Sequence, residues 1–252
     1  MSIQRIIVSN AKGGCGKTTI ATTIASYYAS AGKRVLLFDY DTQGSAVHWR
    51  KRRSEQFADI SVVDAARRPD NHMTRSWQMR VPHDTDTVVV DTPAGIDATE
   101  LAGMLQQNDM LVIPVLPSPI DIQTTAYFIR DILLIGKARK KQIRIAVVAN
   151  RVRKNNLMYL SLERFLYSLN LPFISSFRDT QFYIKAIEKG IGILDIKMVK
   201  NRIDHEQWAP LIRWMDIPVE NTEVKNRENT EVKTREKTKV KIRTLFSGGV
   251  SS

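Results

Sequence analysis

Lys12-Gly13-Gly14-Cys15-Gly16-Lys17-Thr18-Thr19 follows directly on an apolar run at residues 5–8 and opens a stretch of helical character over residues 17–31. A glycine-rich turn between a strand and a helix is the setting in which a phosphate loop works. Glycines at 13, 14 and 16 let the backbone turn tightly and bring its N–H groups against phosphate oxygens, and the positive end of the following helix completes the cradle. Lys17 is placed to neutralise the β- and γ-phosphates. The Thr18 hydroxyl is the expected direct ligand of Mg²⁺, a hard cation that prefers oxygen. The expected nucleotide-binding residues are therefore Gly13, Gly14, Cys15, Gly16, Lys17, Thr18 and Thr19, with ATP and Mg²⁺ as ligands. Cys15 fills a variable slot and is assigned no chemistry.

Outward from this loop, further β-type runs fall at residues 34–38, 61–63, 87–90, 110–115 and 143–148, separated by helix-length segments. Runs such as Val88-Val89-Val90 lack polar alternation, as strands covered by helices on both faces should. The predicted fold is α/β, a doubly wound, mostly parallel sheet with helices on both faces; residues 120–136 read as one of the helices. Such sheets place their ligands at the carboxyl ends of strands. Asp91 ends one strand and has the form of a carboxylate that holds magnesium through water, and Thr92-Pro93-Ala94-Gly95 after it has the form of a γ-phosphate switch. Asp39 and Asp41 end another, and one of them is expected to orient the attacking water.

At 252 residues the chain fits one domain with an appendage. From Asn221 an eight-residue polar repeat begins (NTEVKNRE, NTEVKTRE, KTKVKIRT) that cannot bury a core, so residues 1–218 are read as the folded domain and residues 219–252 as a basic tail, disordered when free. A single cysteine and four scattered histidines argue against a disulfide framework and a structural zinc site and fit a reducing, cytoplasmic setting. No apolar run approaches the ~18 residues of a membrane span, and nothing at the start reads as a signal peptide. The formal charge of +12 favours a polyanionic partner, nucleic acid or an anionic membrane surface.

Taken together, KGGCGKTT with its extra Lys12, DYDTQG, VVVDTPAG and the VLPSPID stretch at residues 115–121 resemble the ParA/MinD group of deviant Walker ATPases, over roughly residues 1–196. The resemblance implies that Lys12 reaches the phosphates bound by the other subunit of an ATP-dependent homodimer, which makes it catalytic alongside Lys17. It implies that Asp41 is needed for hydrolysis, that Asp39 supports it, and that Asn150 contacts adenine. The Pro117-Ser118-Pro119 turn and residues 182–185 are most similar to short ParA proteins, including ParF-like plasmid partition proteins and McdA proteins that distribute carboxysomes. Those relatives imply a slow ATPase stimulated by a cargo adaptor, bound to nonspecific nucleoid DNA. Candidate DNA contacts are Arg151, Arg153, Lys154, Arg178, Lys185 and Lys189, with Lys197, Lys200 and Arg202 beside them and a second cluster at residues 50–53. The alternative is a MinD-like ATPase that cycles on membranes, its tail offering Ile242, Leu245 and Phe246 at helical spacing among cations. A nitrogenase-type iron protein would need cluster cysteines that one Cys per chain does not supply. The related tyrosine kinases carry a C-terminal tyrosine cluster, and no Tyr follows Tyr183.

Overall fold

A computed structural model of the chain describes residues 3–67, 74–135, 142–153, 167, 173–197 and 199–217. Strands β1 (Gln4–Val8), β2 (Val35–Asp39), β3 (Ser61–Asp64), β4 (Thr87–Asp91), β5 (Met110–Val115), β6 (Arg144–Val152) and β7 (Phe173–Arg178) alternate with helices α1 (Lys17–Ser30), α2 (Ser45–Arg52), α3 (Arg75–Gln78), α4 (Ala98–Met104) and α5 (Pro119–Leu134). Beyond β7 come α6 (Gln181–Glu188), two short 3₁₀ turns and α7 (Arg202–Asp216). The sheet order is β3-β2-β4-β1-β5-β6-β7 and every pairing is parallel.

This order follows from burial. Every residue of β2, β4 and β5 is buried, as strands with helices on both faces require. One face packs Ile7, Phe38, Val90, Leu111 and Val147 against Ile96, Leu101, Phe128 and Ile132 of the covering segments. Because β1 pairs with both β4 and β5, the chain winds one way from β1 through β2 and β3, returns through β4, and winds the other way from β5. The order therefore reverses beside β1, where ligands of such sheets bind outside the carboxyl ends.

All six expected strands are present; β5 falls at the expected bounds, and the ends of the others move by at most four residues. A seventh, β7, was not expected: its sequence FISSFR interrupts apolar character with two serines, and its register against β6 slips twice. The helix expected over 120–136 runs from Pro119 to Leu134, with Ser118 capping its start. The basic stretch 137–141, Lys154 and the tail 219–252 with its candidate membrane helix lie outside the described residues.

The chain divides into two units, residues 1–211 and 212–252. In the first, α7 packs Trp208 and Leu211 into the core, with the Trp208 indole stacked on Phe177 of β7 at 4.4 Å. Of the second, only residues 212–217 are described.

Candidate nucleotide-binding site

Parallel pairing brings the ends of β1, β2, β4, β5 and β6 to one edge of the sheet, and every residue expected to handle phosphate or metal lies there. The loop after β1 is already closed around Lys17. Its ammonium is buried and donates to the Lys12 carbonyl at 3.3 Å. Gly16 adopts φ 96°, a left-handed conformation, and a Cβ there would stand 2.1 Å from the Asn150 amide nitrogen, so only glycine fits. The Cys15 thiol is buried, donates to the Lys12 carbonyl, and is pushed up in pKa mainly by burial, as suits an inert slot.

The carboxylates divide the work. Asp91 is wholly buried at the end of β4, and neither of its oxygens has a hydrogen-bond partner among the described residues. Burial pushes its pKa up to about 8; the Thr18 hydroxyl nearby offsets a little of that, and Asp39 and Asp41 add repulsion. A buried carboxyl without a hydrogen-bond partner among the described residues, beside a threonine hydroxyl, fits Mg²⁺ held by Thr18 directly and by Asp91 through water.

Asp39 is also buried but fully occupied. It accepts backbone N–H groups from Asp41 at 3.1 Å, Ala46 at 2.8 Å and Val47 at 3.1 Å, holding the turn after β2 and the start of α2. Burial raises its pKa and those three bonds pull it back. Asp41 is the less buried of the two and accepts the Gln43 N–H at 2.9 Å.

Asn150, expected just past the strand as an adenine contact, lies within β6 two residues before its end, and its hydrogen bonds show a contact that spacing alone could not. Its amide donates to the Cys15 carbonyl at 2.8 Å and accepts the Arg151 N–H at 3.0 Å, so it struts the phosphate loop from the end of β6. Beside it opens a cleft of about 710 Å³ lined by Thr19, Pro117, Asp121, Asn150, Arg151 and Tyr183 among others, a volume suited to a nucleoside. Arg151 enters that cleft with φ 52°.

Of the candidate DNA contacts, Arg151, Arg153, Lys185 and Lys189 are exposed. Arg153 pairs with Asp179 at 3.1 Å on the surface. Arg178 instead forks onto buried Asp204 of α7 at 2.7 and 2.6 Å, which makes it a tie between β7 and α7. The 50–53 cluster is likewise partly internal. Arg50 binds the Ile60 carbonyl and Asp59, while Arg53, 7% exposed, donates to Ser26 and to the Gly190 carbonyl and lies 3.6 Å from Asp195. Two residues that sequence reading left out of the site belong to it. Asn10 bonds the Pro114 carbonyl and Thr125, and Asp121 faces Lys12 at 4.0 Å.

The profile of the CobQ/CobB/MinD/ParA nucleotide-binding domain matches residues 6–193. Maintenance of carboxysome distribution protein A of Halothiobacillus neapolitanus is 31% identical over 195 residues, spanning 76% of this chain and 87% of that protein. Among solved structures, the MinD cell division protein of Aquifex aeolicus superposes with TM-score 0.60 at 20% identity, covering 85% of this chain and 98% of that one. An ATP complex of a variant McdA from Cyanothece superposes with TM-score 0.59 at 14% identity, covering 83% and 96%. At such identities these two structures speak for the fold.

Proposed function

The chain belongs to the CobQ/CobB/MinD/ParA nucleotide-binding family, and from that premise we propose that it is a ParA-type ATPase that dimerises on ATP, binds DNA without sequence preference, and positions or partitions a cargo, a carboxysome or a plasmid, through hydrolysis stimulated by an adaptor protein. The observation that carries this reading is the placement of the two loop lysines. Lys17 is caged inside its own loop, whereas Lys12 leaves it, with a side chain 41% exposed. One cation serves the subunit's own phosphates, and the second, partly exposed and held only by Asp121 at 4.0 Å, can be released to serve a neighbour's.

Bound Mg²⁺ would supply the positive charge that developing phosphoryl oxygens need, and the chain's own residues do the rest. The loop N–H groups and Lys17 orient the phosphates, Asn150 keeps the loop closed, and Asp39 fixes the turn from which Asp41 positions a water. Among the described residues no glutamate lines this edge near residues 91–95, so water activation rests on Asp41 and turnover is slow without a partner. Carboxysome cargo is favoured by the relative sharing 31% identity, whose name assigns it that distribution role.

Gel retardation of nonspecific duplex DNA, comparing nucleotide-free, ADP and ATP protein with Lys12→Ala as control, tests the reading. Salt-sensitive retardation with ATP alone, lost in the variant, is expected. Equal retardation in all three states, or none with ATP, would overturn the DNA gate and turn attention to liposome sedimentation.

A further inference from the structure

Asp121, in the first turn of α5, is a buried carboxylate with one unanswered oxygen. The residue is 8% exposed, its Oδ2 accepts the Ser118 hydroxyl, and its Oδ1 has no hydrogen-bond partner among the described residues. A carboxylate so far from water needs a counter-charge. The cation that answers it is Lys12, whose Nζ stands 4.0 Å from that same Oδ1. The loop carrying Lys12 is tied to α5 a second time: Asn10 accepts the Lys12 N–H at 3.1 Å and donates to the Thr125 hydroxyl at 2.9 Å, one turn along the helix from Asp121.

We propose that Asp121 is the positioning residue for Lys12: in the isolated subunit it holds the ammonium over α5, and the ATP dimer forms only when this pair opens. The inference rests on the reading that Lys12 acts across a dimer. At 4.0 Å the pair is an electrostatic hold without a hydrogen bond, and its lysine is partly solvated, so it opens at modest cost. Asp121 also borders the nucleotide cleft. A nucleotide hydroxyl entering there can donate to Oδ1 in place of the ammonium, which links filling of the cleft to release of the lysine. A subunit without nucleotide thereby keeps its second lysine at home.

The test uses full-length protein and Asp121→Asn, which keeps the side chain's shape and its contact to Ser118 while removing the charge. The first readout is acetylation of Lys12 by an N-hydroxysuccinimide ester without nucleotide, normalised to exposed Lys33 and followed by peptide mass spectrometry. The second is the ATP concentration giving half-maximal dimer in light scattering, with occupancy measured separately by mant-ATP fluorescence. Asp121→Asn is expected to acetylate Lys12 about threefold faster or more and to dimerise at several-fold lower ATP. Raising salt should speed Lys12 acetylation in the unmodified chain as well, a readout independent of how the variant folds. Unchanged acetylation in both experiments overturns the hold. Faster acetylation with an unchanged or higher ATP threshold at equal occupancy overturns the gating role. A wild-type protein that stays monomeric at saturating ATP sinks the dimer reading and the release step with it, while the acetylation ratio still decides the hold.

Discussion

Asp91 shows how a single residue can set function against stability. Burial pushes its carboxyl up to about 8 in the folded chain against 3.8 for a free one, because loss of water disfavours the charge more than Thr18 and Lys17 restore it. Between these values the folded chain keeps a proton that the unfolded chain has lost, so the stability tied to Asp91 is full below the free value and falls as pH rises towards 8. Asp91→Asn removes that titration. In urea denaturation the variant is expected to exceed the unmodified chain by about 1 kcal/mol or more near pH 8, with the gap narrowing towards about pH 5. The same substitution should abolish the tightening of nucleotide binding by magnesium. A gap that widens on acidification would mean that Asp91 is ionised and satisfied in the folded chain, and the metal assignment would lose its physical basis.

At the level of elements, charge that looks like surface in sequence turns out to fasten the carboxyl-terminal third of the first unit. Arg178 on β7 forks onto Asp204 of α7, which is fully buried, and this hydrogen-bonded pairing raises the guanidinium pKa. Trp208, one turn later, donates to the Tyr183 hydroxyl of α6 at 2.9 Å, so β7, α6 and α7 lock together beside the cleft. Arg178→Ala strands a buried carboxylate and should cost about 3 kcal/mol in denaturant unfolding, whereas Lys185→Ala on exposed α6 should stay within about 0.5 kcal/mol. Equal stability of the two variants would return Arg178 to the list of surface cations. The same contrast explains what could be read in advance. The phosphate loop and the strand-end aspartates were legible because their chemistry is written in contiguous residues, and strands such as β2, β4 and β5 because burial on both faces leaves unbroken apolar runs. The seventh strand was hidden by Ser175 and Ser176. The roles of Arg53, Arg178 and Asp121 were hidden because each depends on a partner brought close only by the fold: Asp195, Asp204 and Lys12.

For the whole molecule, the question is whether a net charge of +12 acts as a diffuse attraction or through a defined surface. Lys185 lies on α6 and Lys189 just beyond its end, both exposed, and Arg151 of β6 and Arg153 just after it line the cleft to which α6 contributes Tyr183, Ile184 and Glu188. Arg151 and Arg153 border the candidate nucleotide site, as the proposed nucleotide-gated DNA surface requires. A dimer would present each of them twice. Each phosphate contact on duplex DNA contributes about −0.9 to the slope of log affinity against log salt, so replacing both Lys185 and Lys189 by Ala should flatten the slope by up to about 3.6 in the ATP state. Fluorescence anisotropy with duplexes of unrelated sequence measures this, and the loss should be alike for every sequence because phosphate carries no base information. If the slope is unchanged in the double variant but flattens in a chain ending at residue 218, the polyanion contact belongs to the basic repeats of residues 219–252, and the folded domain would serve only to time their release.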